Sequence, residues 1–232
     1  MRATDGYRRR IELATVSAEV VRGEMEDDFH HFRVSIVHED GKVVVVDGEA
    51  VRHPWSTCPD ALEPLRALVG APVTTDATAH GAHGDARTSC THWFDLAGLA
   101  IAQAGAGREH RRYDMSVPDR GPDGRTTAHL FRDGTPVLDW EVDAQTVLGP
   151  TPYTERAMGR GFLTWANATL DPDTAEAAIA LRRACRISLG RLMDLDDYER
   201  ASEVGHGMAD TCHTFSTAVM ETALRVKGAT RR

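Results

Sequence analysis

The sequence lacks several features that would place it in a common class of protein. No apolar run is close to the length of about 20 residues that a membrane-spanning helix needs. The N-terminus has no apolar stretch of the kind found in secretory signal peptides, and no glycine-rich dinucleotide fingerprint is present. We therefore expect a cytoplasmic protein that does not belong to the nicotinamide oxidoreductases.

Clusters of basic residues are also scarce. The longest run of Lys and Arg is Arg8-Arg9-Arg10, which we expect in a frayed N-terminus, and the net charge is −8. Because phosphate binding requires a clustered basic face, the composition disfavours nucleic acid as a partner. We expect a small-molecule substrate and no membrane partner, and we keep a homodimer open.

The strands are predicted mainly in the first two thirds of the chain. Glu39-Asp40-Gly41 and Arg132-Asp133-Gly134 are turn sequences between β-branched or alternating runs, which is typical of hairpins. The predicted strands are 11–21, 32–37, 43–46, 113–117, 128–131 and 137–142.

The helices are predicted later in the chain, apart from two. The predicted helices begin at Pro59 (with the stripe Leu62, Leu65, Val69), at Cys90, at Asp171-Pro172 and at Asp210, the last running to about Lys227. Strands first and helices last favour an α+β fold, in which an antiparallel sheet of hairpins packs against helices. We expect one domain over 1–232, β-rich over 7–150 with two embedded helices, and a helical C-terminal third as an extension over 151–228.

Three of the four cysteines, Cys58, Cys90 and Cys212, stand where a helix is predicted to begin. A helix N-terminus presents unpaired N–H groups and a partial positive charge. We expect a thiol there to ionise more easily, and the thiolate is the form that attacks carbonyls or binds metal. The fourth, Cys185, lies within a predicted helix and is expected in the core.

Helical phase leaves two interpretations of these cysteines open. Each of the three lies in line with the apolar residues of its own predicted helix, as convergence on one pocket requires. The same pattern is expected of cysteines that merely pack in the core. The position of these cysteines at helix starts and the nearby histidines favour a functional site over core packing.

Two chemical uses of that site follow from its residue types. Cys58, Cys90, His92 and Cys212 offer sulfur and imidazole, which suit zinc or iron; a protein without metal is equally compatible with the sequence. Alternatively, Cys90 or Cys212 acts as a nucleophile with a histidine as acid or base. His30 is favoured over His31 for this role, and the acidic stretch before them could orient it. Arg52 would then hold a substrate carboxylate or enolate.

The same residues resemble a known family. The segments that carry the likeness are Asp28-Phe29-His30, Ala50-Val51-Arg52 with Pro54, Cys58-Pro59, Leu68-Val69-Gly70, Ser89-Cys90-Thr91-His92 and Cys212-His213-Thr214-Phe215. Together they resemble the bacterial domain-of-unknown-function family 2889 over roughly Tyr7 to Lys227. This resemblance implies a shared site and names no reaction.

A second likeness concerns the order of elements. A hairpin, a cysteine opening a helix, and Arg87-x-x-Cys90 opening another are similar in order to iron–sulfur cluster scaffold proteins. That resemblance implies that Cys58 and Cys90 match two cluster ligands. Cys212 or His92 would have to replace the third, and Asp60 is the counterpart of the scaffold's aspartate.

We therefore predict an enzyme with a buried Cys/His pocket. It would act on a small organic substrate, aromatic or carboxylate-bearing, by hydrolysis, elimination or isomerisation, with or without a metal. His30, Arg52, Cys90 and His92 are the predicted catalytic residues, and no organic cofactor is predicted. The alternatives are a carrier of metal or iron–sulfur clusters and a non-catalytic protein that binds a small molecule.

Overall fold

A computed structural model describes residues 6–231, apart from the side chain of His206. These residues contain nine β-strands, which pair antiparallel, and four α-helices. The α+β prediction is thereby confirmed. Within the described part of the chain, no helix is both long and apolar enough to cross a membrane.

The chain divides into two compact units. Of the described residues, unit 1 contains 6–10 and 112–193, and unit 2 contains 11–111 and 194–231. The first and the fifth strand each have residues in both units. The expectation of one domain stays a prediction.

Unit 2 contains an antiparallel sheet in the strand order β4-β3-β2-β1. Alternating residues of these strands are buried, and the long helix α2 packs against β2 and β3. The elements are β1 (Gly6–Ser17), β2 (Val20–Asp27), β3 (His31–Glu39), β4 (Lys42–Arg52), α1 (Leu62–Leu65) and α2 (Thr91–Gly105). This packing places the start of α2 in the same unit as the turn between β2 and β3.

The hairpin predicted at Asp40-Gly41 is present. Both residues have positive φ, 47° and 73°, as a tight two-residue turn requires. The strand predicted over 11–21 is correct over 11–17 and wrong as a single strand, because the chain turns at residues 18–19 and continues as β2. Arg8-Arg9-Arg10 lies within β1 and is not a frayed end.

Unit 1 contains the strand order β5-β6-β7-β8-β9 with two helices. The elements are β5 (His110–Pro118), β6 (Thr126–Arg132), β7 (Thr135–Val142), β8 (Thr146–Gly149), β9 (Arg156–Ala157), α3 (Phe162–Thr169) and α4 (Pro172–Ser188). The β6–β7 hairpin and α4 were predicted. The Asp171 side chain accepts a hydrogen bond from the Thr174 N–H at 3.0 Å, which is the expected N-cap.

The helical C-terminal third is not confirmed. Beyond α4 the described chain forms short 3-10 helices, and the helix predicted from Asp210 to Lys227 is wrong. Asp210 has a left-handed φ of 54°, so it cannot continue into a helix as an extended N-cap residue would. The only helical turn in that range is His213–Phe215.

The helix predicted at Pro59 is broken into 3-10 turns on either side of α1. Because a 3-10 turn has three residues, the apolar phase shifts along the segment. Leu65 and Leu68 are buried, whereas Val69 is 49% exposed. The predicted stripe is therefore correct at Leu65 and wrong at Val69.

The segment 74–87 forms a loop with one 3-10 turn (Ala79–Ala82) and lies directly against α2. Gly98 of α2 faces the His80 ring and the Ala77 carbonyl oxygen, where no side-chain atom would fit. The His80 ring packs on Phe94 with centroids 4.3 Å apart. Burial lowers the pKa of His80, so its imidazole is held neutral in this contact.

Candidate functional site

The turn that joins β2 to β3 places two polar side chains inside unit 2. Asp27 Oδ1 accepts hydrogen bonds from the N–H groups of Phe29 and His30 at 2.9 and 2.8 Å. The Asp27 N–H in turn donates to the His30 carbonyl at 2.8 Å. We call residues 27–30 the ligand turn. Its internal bonds hold the His30 ring beside the Asp27 carboxylate, with Nδ1 donating to Oδ1 at 3.1 Å.

The start of α2 supplies the facing residues. Cys90 is the N-cap of α2, with an extended backbone, as its position before an apolar helix predicted. His92 is buried, and its ring stacks on His30 with centroids 3.9 Å apart. Cys90 Sγ lies 3.7 Å from His92 Nδ1, within hydrogen-bonding distance for sulfur.

Asp27, His30 and His92 form a group that could hold a metal ion, and we call them the triad. One ligand atom from each lies within 4.8 Å of the other two. Sequence analysis singled out both histidines, but it treated Asp27 only as one member of an acidic stretch. The available signal was an aspartate at the end of a strand, because Asp side chains often accept hydrogen bonds from the backbone of a following turn; the strand that Asp27 ends was not predicted.

The three turns that carry Cys58, Cys90 and Cys212 meet in unit 2. The His213 N–H donates to the Ser89 carbonyl at 2.8 Å, beside Cys90 and Cys212. Thr214 Oγ1 lies 3.5 Å from Cys58 Sγ. These turns therefore lie together, which helical phase alone had left open. The cysteines nevertheless join no group of three ligand atoms as close as the triad within residues 6–231.

The predicted ease of ionisation of these thiols is wrong. Burial raises the pKa of Cys58 to about 12 and also raises the pKa of Cys90 and Cys212, and the nearby Cys212 adds to the first two effects. Loss of solvent around a thiolate outweighs the helix-terminus charge. Moreover, Cys58 and Cys212 begin 3-10 turns of three residues, so Cys90 alone begins a long helix.

These shifts predict slow thiol labelling of the native protein. At mildly alkaline pH we expect Cys212, which is partly exposed, to react first with a disulfide reagent. Cys58, Cys90 and Cys185 should react only after denaturation, because all three are buried. Mass spectrometry of the labelled peptides measures the order. Native labelling of Cys58 at the rate of a free thiol would contradict this burial.

Arg52 binds the protein rather than presenting its guanidinium to an open site. Its Nη1 donates to the carbonyls of Asp28 and Ala229 at 3.0 and 2.9 Å. Its Nη2 donates to the His30 carbonyl at 3.2 Å and lies 3.3 Å from Glu26 Oε1. The role predicted for Arg52 in holding a substrate carboxylate stays a prediction, and the observed contacts assign it to the ligand turn.

The tryptophans that flank Cys58 and Cys90 in the sequence, Trp55 and Trp93, are core residues. Trp55 and Trp93 are 2% and 1% exposed. Trp55 packs edge-on against Phe215 at 6.0 Å, and the Trp93 indole N–H donates to the Arg33 carbonyl at 3.0 Å. Cys185 is likewise fully buried, in α4. Each of these side chains has a packing role.

In comparisons with known proteins, no family model, curated protein or solved structure matches the chain.

Proposed function

We propose that the chain is a metal-dependent enzyme that acts on a small organic substrate and holds zinc or iron at Asp27, His30 and His92. The observation that carries this proposal is the approach of the three ligand atoms to within 4.8 Å of one another. The triad shares His92 with the set Cys58, Cys90, His92 and Cys212 expected from the sequence, and it replaces the thiols by a carboxylate and a second imidazole.

The composition of the triad supports a catalytic rather than a structural metal. Structural zinc sites close the coordination sphere with four protein ligands, whereas catalytic sites use three and leave a position for water or substrate. Two imidazoles and one carboxylate are also the ligand set of many non-haem iron enzymes. A three-residue set of this kind is consistent with either element.

Burial supports the presence of a cation. The side chains of Asp27 and His30 are 0% and 12% exposed. A carboxylate in such an environment is stabilised by positive charge nearby, and neutral imidazole is the form that binds metal. A divalent ion between them would provide the charge and use both rings as ligands.

The chemistry follows from the open position. A bound divalent ion polarises a carbonyl group or activates water at neutral pH, which suits hydrolysis, elimination or isomerisation. Cys90 would serve as the outer partner of His92, because its sulfur lies beside Nδ1. The likeness to family 2889 and a cytoplasmic location remain part of this proposal.

A carrier of metal or iron–sulfur clusters is the second candidate. It is favoured by the meeting of the Cys58, Cys90 and Cys212 turns, since clusters bind thiolates. A metal-free enzyme is the third, with His30 oriented by Asp27 as acid or base and the Cys90 thiol beside His92. The carrier differs from the main proposal in the atoms that would contact a metal, and the metal-free enzyme differs in needing no metal.

Metal analysis of tag-free protein purified without oxygen tests the proposal. We expect close to one equivalent of zinc or iron by mass spectrometry. The cobalt(II)-substituted protein should show ligand-field bands without a strong thiolate-to-cobalt band. A thiolate band that disappears in Cys58→Ser and Cys212→Ser would replace this proposal with the carrier. Protein that binds neither zinc nor cobalt would overturn it.

A further inference from the structure

We infer that Arg52 makes the order of the ligand turn, and with it the metal affinity, depend on docking of residues 224–231. We call residues 224–231 the C-terminal segment. This inference deepens the proposed function and rests on it for the part that concerns metal. Arg52 is assigned as a positioning residue, since its observed contacts are with the protein.

The guanidinium group of Arg52 binds the backbone carbonyls of the ligand turn. Arg52 donates to the carbonyls of Asp27, Asp28 and His30, at 2.5, 3.0 and 3.2 Å. Asp27 and His30 are triad members, so Arg52 binds the backbone of two proposed ligands. The planar fork of arginine fixes the directions of these bonds, which the point charge of lysine does not.

The same guanidinium group binds the C-terminal segment. Arg52 Nη1 donates to the Ala229 carbonyl at 2.9 Å. The Arg231 N–H donates to the Asp28 carbonyl at 2.7 Å, and the Arg231 side chain pairs with Glu26 at 2.5 Å. The C-terminal segment therefore contacts the ligand turn directly as well as through Arg52.

A second arginine anchors the C-terminal segment. The Arg225 side chain is 0% exposed, donates to the Pro54 carbonyl at 2.8 Å and pairs with Asp196 at 2.8 Å. The Val226 N–H also donates to the Pro54 carbonyl at 2.9 Å. These contacts fix the segment upstream of Ala229 and remain after removal of residues 229–232. That removal releases the contacts to the ligand turn and one bond of the anchor, from Arg225 Nη2 to Thr230 Oγ1 at 2.8 Å.

The expected loss of metal affinity follows from the contacts of Arg52, which binds the backbone of two proposed ligands and would not itself touch the metal. Loss of an outer partner of a metal ligand lowers metal affinity by about 10–100-fold. We expect Arg52→Met and the chain shortened to residues 1–228 to show losses in this range, and Arg52→Lys an intermediate loss. Arg33→Met is the matched control, because Arg33 is about half exposed and pairs with Glu24 and Glu49.

Two measurements test the inference. The first is zinc and cobalt(II) affinity by competition with a chromophoric chelator, with the cobalt spectrum as a readout of ligand geometry. The second needs no metal: hydrogen exchange at the Phe29 and His30 amides, which donate to Asp27. Exchange should accelerate at least tenfold in Arg52→Met and in the shortened chain, and stay unchanged in Arg33→Met.

The two measurements separate the possible failures. A wild-type chain that binds no metal would overturn the proposed function, while the exchange data would still decide whether Arg52 and the C-terminal segment order the ligand turn. Unchanged exchange and unchanged affinity in Arg52→Met would overturn the inference. Equal acceleration across all of unit 2 would also overturn it, because that result indicates general unfolding.

Discussion

Asp27→Asn is expected to weaken zinc or cobalt binding by at least about 100-fold, above the range seen for outer partners of metal ligands. The substitution removes the charged ligand oxygen but keeps an amide oxygen that can accept the Phe29 and His30 N–H bonds. The fold of the ligand turn should therefore survive while the metal is lost. Competition titration, together with a thermal unfolding curve of the metal-free protein, measures both quantities.

The histidines provide the matched comparison. His30→Ala should lose metal to a similar extent as Asp27→Asn. His31→Ala should retain it, because His31 directs its ring to Glu24 at 2.5 Å. The two adjacent histidines thus form a matched pair: His30 is a proposed metal ligand, whereas His31 only pairs with the Glu24 carboxylate. Metal retained in His30→Ala and Asp27→Asn would remove the triad as the site.

Gly98→Ala is expected to destabilise the protein by about 3 kcal/mol, the upper end of the cost of overpacking a core. An alanine Cβ would overlap the His80 ring and the Ala77 carbonyl oxygen. The backbone oxygen cannot rotate away, so the loop over 74–87 or α2 must shift. This cost exceeds the gain of about 1 kcal/mol that alanine normally brings to a helix interior. Urea unfolding of the variant measures the difference.

Gly81→Ala is the control for this prediction. Gly81 lies in the same loop, and a Cβ added there would meet no atom within 4 Å. Its unfolding free energy should remain within about 0.5 kcal/mol of wild type, as is usual for a surface position. If both glycine variants unfold at the same denaturant concentration, close contact between the loop and α2 is not what stabilises this region.

Local signals predicted much of the secondary structure. The turn residues Asp40-Gly41 and the cap Asp171-Pro172 fix the backbone through steric and hydrogen-bonding effects that act over a few residues. Cys90 was placed correctly at the start of α2 because an apolar run follows it. By contrast, Asp210 resembles an N-cap in sequence, yet its left-handed φ and the pairing of Leu224 with Arg200 override that preference.

The site was only partly predictable. Histidines near an acidic stretch and near Cys90 drew attention to His30 and His92, but the distance between them depends on how α2 packs against β2 and β3. Asp27 was missed as a possible ligand because strand β2 was missed. Thiol ionisation was predicted in the wrong direction, because burial cannot be inferred from proximity to a helix start.

The split of unit 2 into two stretches of sequence has a consequence for its biosynthesis. The Arg52–Ala229 bond joins residues 177 positions apart, so Arg52 leaves the ribosome about 9–35 s before Ala229 at about 5–20 residues per second. Contacts of such long range also slow folding after release. During most of this interval Cys58 and Cys90 lack their neighbours at residues 213–214, so their thiols are more accessible to oxidants than in the finished fold. Oxidation of these two thiols is therefore expected mainly while the chain is being synthesised.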